Sequence, residues 1–408
     1  MAADVSNFIA KRISDQKVGN FSSLISRIAV GSIALGIATL LLSFTIFEGF
    51  RATIQDKIFA LSGHILIEKF SLNQSMEESP IDLNDSELYL AKDTISEIEH
   101  LQVFAHKWSI LKHEEEVTGI LLKGVSQDFD SIRLQGSLVE GRFPNLASDK
   151  YSKEIVVSRR IADKMGLSLG DKVILFFIQQ PPKARPLHIV GIYETGIEDF
   201  DDRVAIGDIR LVQRINGWND NIVGGMEIFV SDFDLLDQDY EAISEVTDLD
   251  LIPIKISEEF SHFFDWFTML NKNVIVFMSI ILVVVLFNII SITLILIMER
   301  TNMIGSLKAI GANNWQIRKI FMYNGSRILL KGLLLGNVLG FTLALLQKYG
   351  KIIPLDPETY YMSYVPITFK WSIVIGVNAL VAILVIAIQL IPTSIISRLS
   401  PIKVIKFS

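Results

Sequence analysis

Apolar residues along this chain fall into two patterns, long unbroken runs and short alternating ones. Ile28 to Phe47 is 20 residues without a charge, and Val274 to Met298 is 25. Each is long enough for a helix to cross the roughly 30 Å of hydrocarbon in a bilayer. Trp371 to Ser397 is a third run, with Pro392 near its end. Ile328 to Gln347 is a fourth, interrupted by Lys331 one turn from its start, where the stem can carry the amine to the interface. Transmembrane helices are therefore predicted at 28–47, 273–298, 328–347 and 371–397. The first run exceeds the apolar core of a signal peptide and ends in Glu48-Gly49-Phe50-Arg51, so it is expected to be retained.

Segment 48–272 has a different texture. Phe50, Ile54 and Ile58 repeat every four residues after the first span, and Phe260, Phe263, Phe264, Phe267 and Leu270 mark a helix face before the second. Both spans are expected to continue outward as helical stalks. Between them, strands are predicted at His64–Glu68, Val117–Val125, Glu154–Val157, Lys172–Ile178, Leu187–Tyr193 and Gly225–Val230. Helices are predicted at Ser158–Met165, Ile209–Ile215 and Phe233–Val246, and a loop at Asn73–Asp85. The fold class is an α-helical membrane domain of four transmembrane helices plus a large α/β extracytoplasmic domain, inserted between helices one and two and carried on stalks.

Charge orients this plan. Residues 48–272 carry 22 basic and 40 acidic side chains, a net of −18 against −7 for the whole 408-residue chain, so the remainder is +11. Lysine and arginine concentrate in 1–27, 299–331 and the tail from Ser397, and the positive-inside rule puts these segments in the cytoplasm with both termini. The order is then a cytoplasmic or interfacial segment 1–27, span 28–47, external domain 48–272, span 273–298, cytoplasmic segment 299–327, span 328–347, external loop 348–370, span 371–397 and tail 398–408. Within 1–27, Asn7–Ile13 is apolar and basic together and either lies in the headgroup plane or frays. Half the residues are hydrophobic and the mean hydropathy is +0.41, as a membrane protein requires.

Candidate chemistry is sparse. There is no cysteine to carry an acyl anchor or a disulfide. No G-x-x-x-x-G-K-[ST] loop occurs; Gly166-Leu-Ser-Leu-Gly170-Asp-Lys172 reads as a turn entering a strand. His100, His106 and His113, followed by Glu114, Glu115 and Glu116, lack metal-motif spacing. No G-x-S-x-G elbow is present, so neither catalysis nor a bound cofactor is expected in this chain, nor any nucleic-acid partner. The deepest polar groups of the spans, Asn288, Ser291, Asn337 and Asn378, are neutral and suit interhelical hydrogen bonds. Gly332, Gly336 and Gly340 form a flat face for close packing, within the chain or between two copies.

The most informative cytoplasmic stretch runs from Met298 to Met322. Met303, Ile304, Leu307 and Ile310 put an apolar stripe on a short helix, Gly311 stops it, and Asn313 or Asn314 can cap the next. Such a stripe suits either lipid headgroups or a groove on a partner.

This stretch resembles the ERxxxIGxLKAxGAxxxxIxxxF signature of the MacB/FtsX-like ABC permeases. Phe8–Arg12, Leu138–Pro144, Phe287–Ile290, Pro354–Pro366 and Ile391-Pro392 through Phe407 are similar to the lipoprotein-releasing branch. The resemblance implies a multi-pass permease of the bacterial inner membrane, working as a pair with a second copy or a paralogue. Two ABC ATPase subunits would hold the ATP and magnesium, coupled through Met303, Ile304, Gly305, Leu307, Lys308, Ala309, Gly311 and Ala312. Acylated lipoproteins would leave the membrane lipid for a periplasmic chaperone. The loop matching the chaperone-gripping hook is Gln179, Gln180, Pro181, Pro182, Lys183, Ala184, Arg185 and Pro186, which also reads as an ordinary hairpin turn. Ile37, Leu41 and Phe44 with Val276, Ile280 and Val284 are expected to border the lipoprotein cavity. Two alternatives stay open: a mechanotransmitting permease for efflux or for cell-wall hydrolase control, and a membrane-anchored sensor or scaffold with no transport role.

Overall fold

The computed structural model describes residues 20–70, 78–147, 151–394 and 396. Asn7–Ile13 and the tail 398–408 lie outside the described residues. The chain divides into two compact units. One comprises the chain up to Ala52, Phe267–Pro354 and the chain from Tyr364 onward; the other comprises Thr53–Trp266 and Leu355–Ser363.

The helical unit draws on four helices long and apolar enough to cross a membrane, among the described residues. The first long helix is Asn20–Ser62, the second Ser261–Glu299, the third Asn314–Gly350 and the fourth Trp371–Ile388, followed by Leu390–Ser394. The fourth stops at Ile388 because Pro392 cannot donate to that residue's carbonyl. The third begins 14 residues earlier than the apolar run Ile328–Gln347 suggested. Gly325 lies inside it, packed on the side chain of Gln389, so tertiary contact carries the helix across a weak point.

Glycine decides which helices touch. A Cβ on Gly336 would sit 2.7 Å from the Ala34 carbonyl oxygen, and one on Gly332 2.6 Å from Ile33. Gly340 faces Ala38 and Leu41 in the same way, so the flat face is used within the chain, between the first and third helices. Gly36, on the other side of the first helix, admits Val285 of the second. The third and fourth helices are joined by a reciprocal amide pair: Asn337 Nδ2 donates to Asn378 Oδ1 at 2.7 Å, and Asn378 Nδ2 returns a bond at 3.1 Å. Asn288 is half-buried and Ser291 exposed.

In the other unit, alternating sequence becomes sheet. Its strands are β1 (Ile65–Lys69), β2 (Ile81–Asp82), β3 (Ile98–His113), β4 (Glu116–Val125), β5 (Leu138–Gly141), β6 (Glu154–Ser158), β7 (Lys172–Phe177), β8 (Lys183–Tyr193), β9 (Val204–Asp208), β10 (Ile222–Val223), β11 (Gly225–Val230) and β12 (Leu251–Lys255). β3, β4, β9, β6, β8 and β7 pair in turn, and β7 pairs back onto β3, closing a ring. Leu111, Ile120, Leu122, Ile155, Val157, Val173, Leu175, Phe177, Leu187 and Ile189 are buried within its core. The other half of the 16-residue β3 pairs with β11, and β1 and β12 follow on that side. Five strands and three helices stand within a residue or two of the predicted positions and β8 begins four residues earlier, at Lys183; β2, which falls in the predicted loop Asn73–Asp85, and β3, β5, β9, β10 and β12 were not anticipated. β3 hides because six of its first ten residues are buried, five of them consecutive from Leu101 to Ala105, so that stretch shows no period of two.

Gly166 does stop a helix and precede a strand. It is left-handed at φ 63° after Arg159–Met165, and β7 follows at Lys172. Residues Leu355–Ser363, between the third and fourth helices, join this unit as well. Lys57 Nζ donates to the Tyr361 carbonyl at 2.5 Å, and the Tyr361 ring meets Phe263 edge-on at 5.3 Å.

One buried network binds several of these elements. Lys123 on β4 and Glu227 on β11 are both 2% exposed and lie 2.5 Å apart. Lys123 also donates to the carbonyl of Leu61, in the last turn of the first helix, and Gln102 on β3 donates to the other Glu227 oxygen at 2.7 Å. A cation is favourable at a helix C-terminus, where carbonyls lack partners. Removing one member leaves the other charge buried alone, so Lys123→Met should lower the stability of this unit by about 3–5 kcal/mol. The double substitution Lys123→Met with Glu227→Leu should recover much of that. Denaturant unfolding measures both, and an unchanged single variant would refute the assignment.

His64, just past the same helix, accepts the Val230 N–H at Nδ1, 3.0 Å away, so that nitrogen carries no proton. Burial, with the Arg133 charge acting in the same direction, lowers its pKa from 6.5 to about 4. Above pH 6.5 both folded and unfolded chains are neutral here and the full contribution is present. As pH falls from there toward 4, only the unfolded chain takes up the proton, and roughly 3 kcal/mol is lost. A pH series of unfolding midpoints should show this slope in the wild type and a shallower one in His64→Gln.

Candidate functional site

The segment joining the second and third helices is built from local signals. The short helix Thr301–Ala309 follows Arg300, and Gly311 leaves it at φ 97°, a backbone that residues with a Cβ rarely adopt. Asn313 then opens the third helix with a capping box: its side chain accepts from the first turn, and Gln316 Oε1 accepts the Asn313 N–H at 2.8 Å.

The apolar stripe on the short helix turns mostly inward. Ile304 is fully buried in a cluster with Ile297, Ile317, Phe321 and Ile396, and Met303, Leu307 and Ala312 pack on it half-buried. Gly305 is buried too. Lys308, near the C-terminal end of the helix, donates to the Ile396 carbonyl at 2.6 Å, and burial lowers its pKa. Of the eight residues that the resemblance assigns to ATPase coupling, only Ala309 and Gly311 are exposed. What the segment presents outward is Ile310, 85% exposed, with Trp315, 49% exposed, a few residues on. Trp315 was not singled out from the sequence, though an aromatic residue directly after a helix cap was the available signal.

The loop compared with a hook is short. Phe177 pairs with Lys183, so only Ile178–Pro182 lies between the strands, and Lys183 to Pro186 belong to β8. Gln180, Pro181 and Pro182 are exposed, and the Gln180–Pro181 bond is cis. Lys183 Nζ donates to the Ile215 carbonyl at 2.9 Å, and Arg185 to the Ala184 carbonyl at 2.9 Å. Gln179 and Lys183 border an open cleft of about 470 Å³ with His106, Lys107 and Trp218.

The residues expected around a cavity divide between two surfaces. Ile37 and Leu41 are buried, at 1% and 2% exposure, on the side of the first helix facing Gly336 and Gly340. Phe44 is half-buried. Val276, Ile280 and Val284 are more than half exposed along one face of the second helix. The structure does not bring the six together.

The three histidines lie along β3 and serve it separately. His100 Nε2 bonds the Asp128 carbonyl at 2.8 Å, His106 Nδ1 meets Glu78 at 2.7 Å, and His113 Nδ1 contacts the Lys172 carbonyl at 3.3 Å. Among the described residues, no group of three or more His, Cys, Asp or Glu could hold a metal ion.

Comparison with known proteins supplies the family. Residues 26–244 match the MacB-like periplasmic core domain, and residues 275–401 match the FtsX-like permease C-terminal domain. The chain belongs to the MacB/FtsX-like permeases. A relative from Haemophilus influenzae, lipoprotein-releasing system transmembrane protein LolE, is 23% identical over 402 residues, covering 94% of both chains. The protein named LolC from Xylella fastidiosa is 21% identical over 410 residues, 95% of both. Among solved structures, the periplasmic region of MacB from Actinobacillus actinomycetemcomitans is 14% identical, with a TM-score of 0.35, covering 50% of this chain and 94% of that one.

Because Ile304 fills the base of the segment, Ile304→Asp should collapse it. The expected result for this permease is loss of folded protein in detergent, read by size-exclusion yield, whereas Ala309→Ser should leave yield unchanged.

Proposed function

We propose that this permease is the membrane subunit of an ABC transporter of the bacterial inner membrane. It releases acylated lipoproteins toward a periplasmic chaperone, using ATP hydrolysed by a separate subunit. Its likeness to relatives named as lipoprotein-releasing transmembrane proteins, over 94% or more of each chain, carries this reading.

Physical chemistry supports it. Each buried CH₂ of an acyl chain is worth about 0.8 kcal/mol, so a multiply acylated protein does not leave a bilayer unaided. Work must enter from outside the membrane, and the basic segment after the second helix is the cytoplasmic end where a partner ATPase engages. Ile310 and Trp315 are the outward-facing apolar side chains there, while the rest of the stripe braces the segment from behind. The first and second long helices run unbroken for 43 and 39 residues, past the length a bilayer needs, and serve as stalks that carry movement to the sheet unit. The open face of the second helix, with Val276, Ile280 and Val284, lines the acyl-chain cavity together with a second copy or a paralogue. The hairpin Gln179–Pro182 is the point of chaperone contact.

Depletion of the permease should strand outer-membrane lipoproteins in the inner membrane; normal sorting would refute the proposal. Ile310→Asp, which disturbs no packing, should abolish co-purification of the ATPase while leaving the unfolding temperature within a degree or two of wild type.

A further inference from the structure

The stretch Leu355–Ser363, between the third and fourth long helices, packs as part of the sheet unit. It is rigid in itself. The Leu355 N–H donates to the Ser363 carbonyl at 3.0 Å and closes its base. Pro357–Tyr360 is a helical turn, extended by a bond from the Tyr361 N–H to the Pro357 carbonyl at 2.9 Å. Little of the stretch is covered. Asp356, Pro357, Thr359, Tyr360 and Ser363 are exposed, so its hold on the unit lies at half-buried Tyr361 and buried Met362.

Three other elements meet at Tyr361. Its carbonyl accepts from Lys57 Nζ, near the end of the first long helix, at 2.5 Å. Its ring lies edge-on to Phe263, at the start of the second, with centroids 5.3 Å apart. The third is the segment Thr195–Asp201, where a Cβ on Gly196 would stand 3.1 Å from the Tyr361 oxygen and 3.3 Å from Lys57 Nζ. That segment is held in shape by its own bonds: buried Asp201 accepts the Thr195 and Gly196 N–H groups at 3.1 and 2.7 Å. Tyr361 sits in this seat with a left-handed backbone, φ 60°, which is unfavourable for a bulky residue with a Cβ. Such strain persists only where surrounding contacts enforce it, and it concentrates at elements that switch.

We propose that Leu355–Ser363 is a releasable strap that clasps the end of the first long helix to the start of the second through Tyr361. When it is docked, one carbonyl and one ring tie Lys57 and Phe263 together. When it lifts, Tyr361 relaxes to an ordinary backbone and the two helices lose this shared contact. Relaxation favours release while the two contacts oppose it, so the docked and lifted states lie closer in energy than a well-packed, unstrained loop would allow. The chain itself supplies a pull, since the strap follows the third helix and leads to the fourth.

The test uses the full chain in detergent, with hydrogen exchange read by mass spectrometry and a helix-to-helix distance read by dipolar electron paramagnetic resonance. The sequence has no cysteine, so spin labels go only where Asp56→Cys and Asp265→Cys put them, at exposed positions on the first and second long helices. Tyr361→Ala and Lys57→Met should speed amide exchange in Leu355–Ser363 at least tenfold, leave β3 as in the wild type, and widen the distance distribution. Tyr361→Phe, which keeps the ring and the carbonyl, should match the wild type in both. Tyr361→Gly loses the ring but adopts φ 60° without cost, so its exchange should fall between wild type and Tyr361→Ala. Unchanged exchange in Tyr361→Ala, or fast exchange with an unchanged distance, would overturn the strap. Neither readout involves cargo or an ATPase. Failure here therefore leaves the proposed transport role standing, and normal lipoprotein sorting on depletion would leave the strap untouched.

Discussion

The sheet unit is organised around a lysine that has no access to water. Lys123 satisfies a carbonyl at the end of the first long helix while pairing with Glu227, and Glu227 is held in turn by Gln102. Three strands and a helix end thus converge on two charges. Burying either charge by itself would be prohibitive, so the elements must arrive together. The arrangement also ends the helix at a defined place: Ser62 is its last residue, and Gly63, left-handed at φ 64°, turns the chain into β1.

In the helical unit the equivalent constraint is distance. Without water between helices there is little hydrophobic gain from packing, so close approach and dispersion must hold them together. Gly332, Gly336 and Gly340 let the first and third helices meet backbone to side chain, and the Asn337–Asn378 pair satisfies two amides that hydrocarbon would otherwise strand. Broad apolar faces of the second and third helices, Val276 to Val284 and Leu330 to Leu346, are left exposed.

The segment between the second and third long helices separates two roles that its sequence merges. An apolar stripe of four residues reads as one surface, yet Ile304 goes inward and Ile310 outward. A nine-residue helix covers two and a half turns, and its last apolar residue falls past the point where neighbouring helices can cover it. Which part of the stripe is brace and which is contact depends on the third helix and on Ile396, 92 positions along the chain from Ile304.

The four apolar runs, the turn residues Gly166 and Gly311, the caps and most strands of the sheet unit were legible because each follows from side-chain pattern over a few neighbours. Others were not. β3 was obscured because Leu101–Ala105, in the half that pairs with β11, are all buried, which removes there the alternation that marks a strand. The buried pair Lys123–Glu227 left no trace in spacing, since the two residues are 104 positions apart and sit on different strands. Hydropathy and charge order along the chain are local sums, so sequence alone determined four apolar runs long enough to cross a bilayer and a long acidic segment after the first. Register, the partner of each glycine and the pairing of buried charges are set by residues that meet only when distant elements pack, and only the tertiary structure decided them.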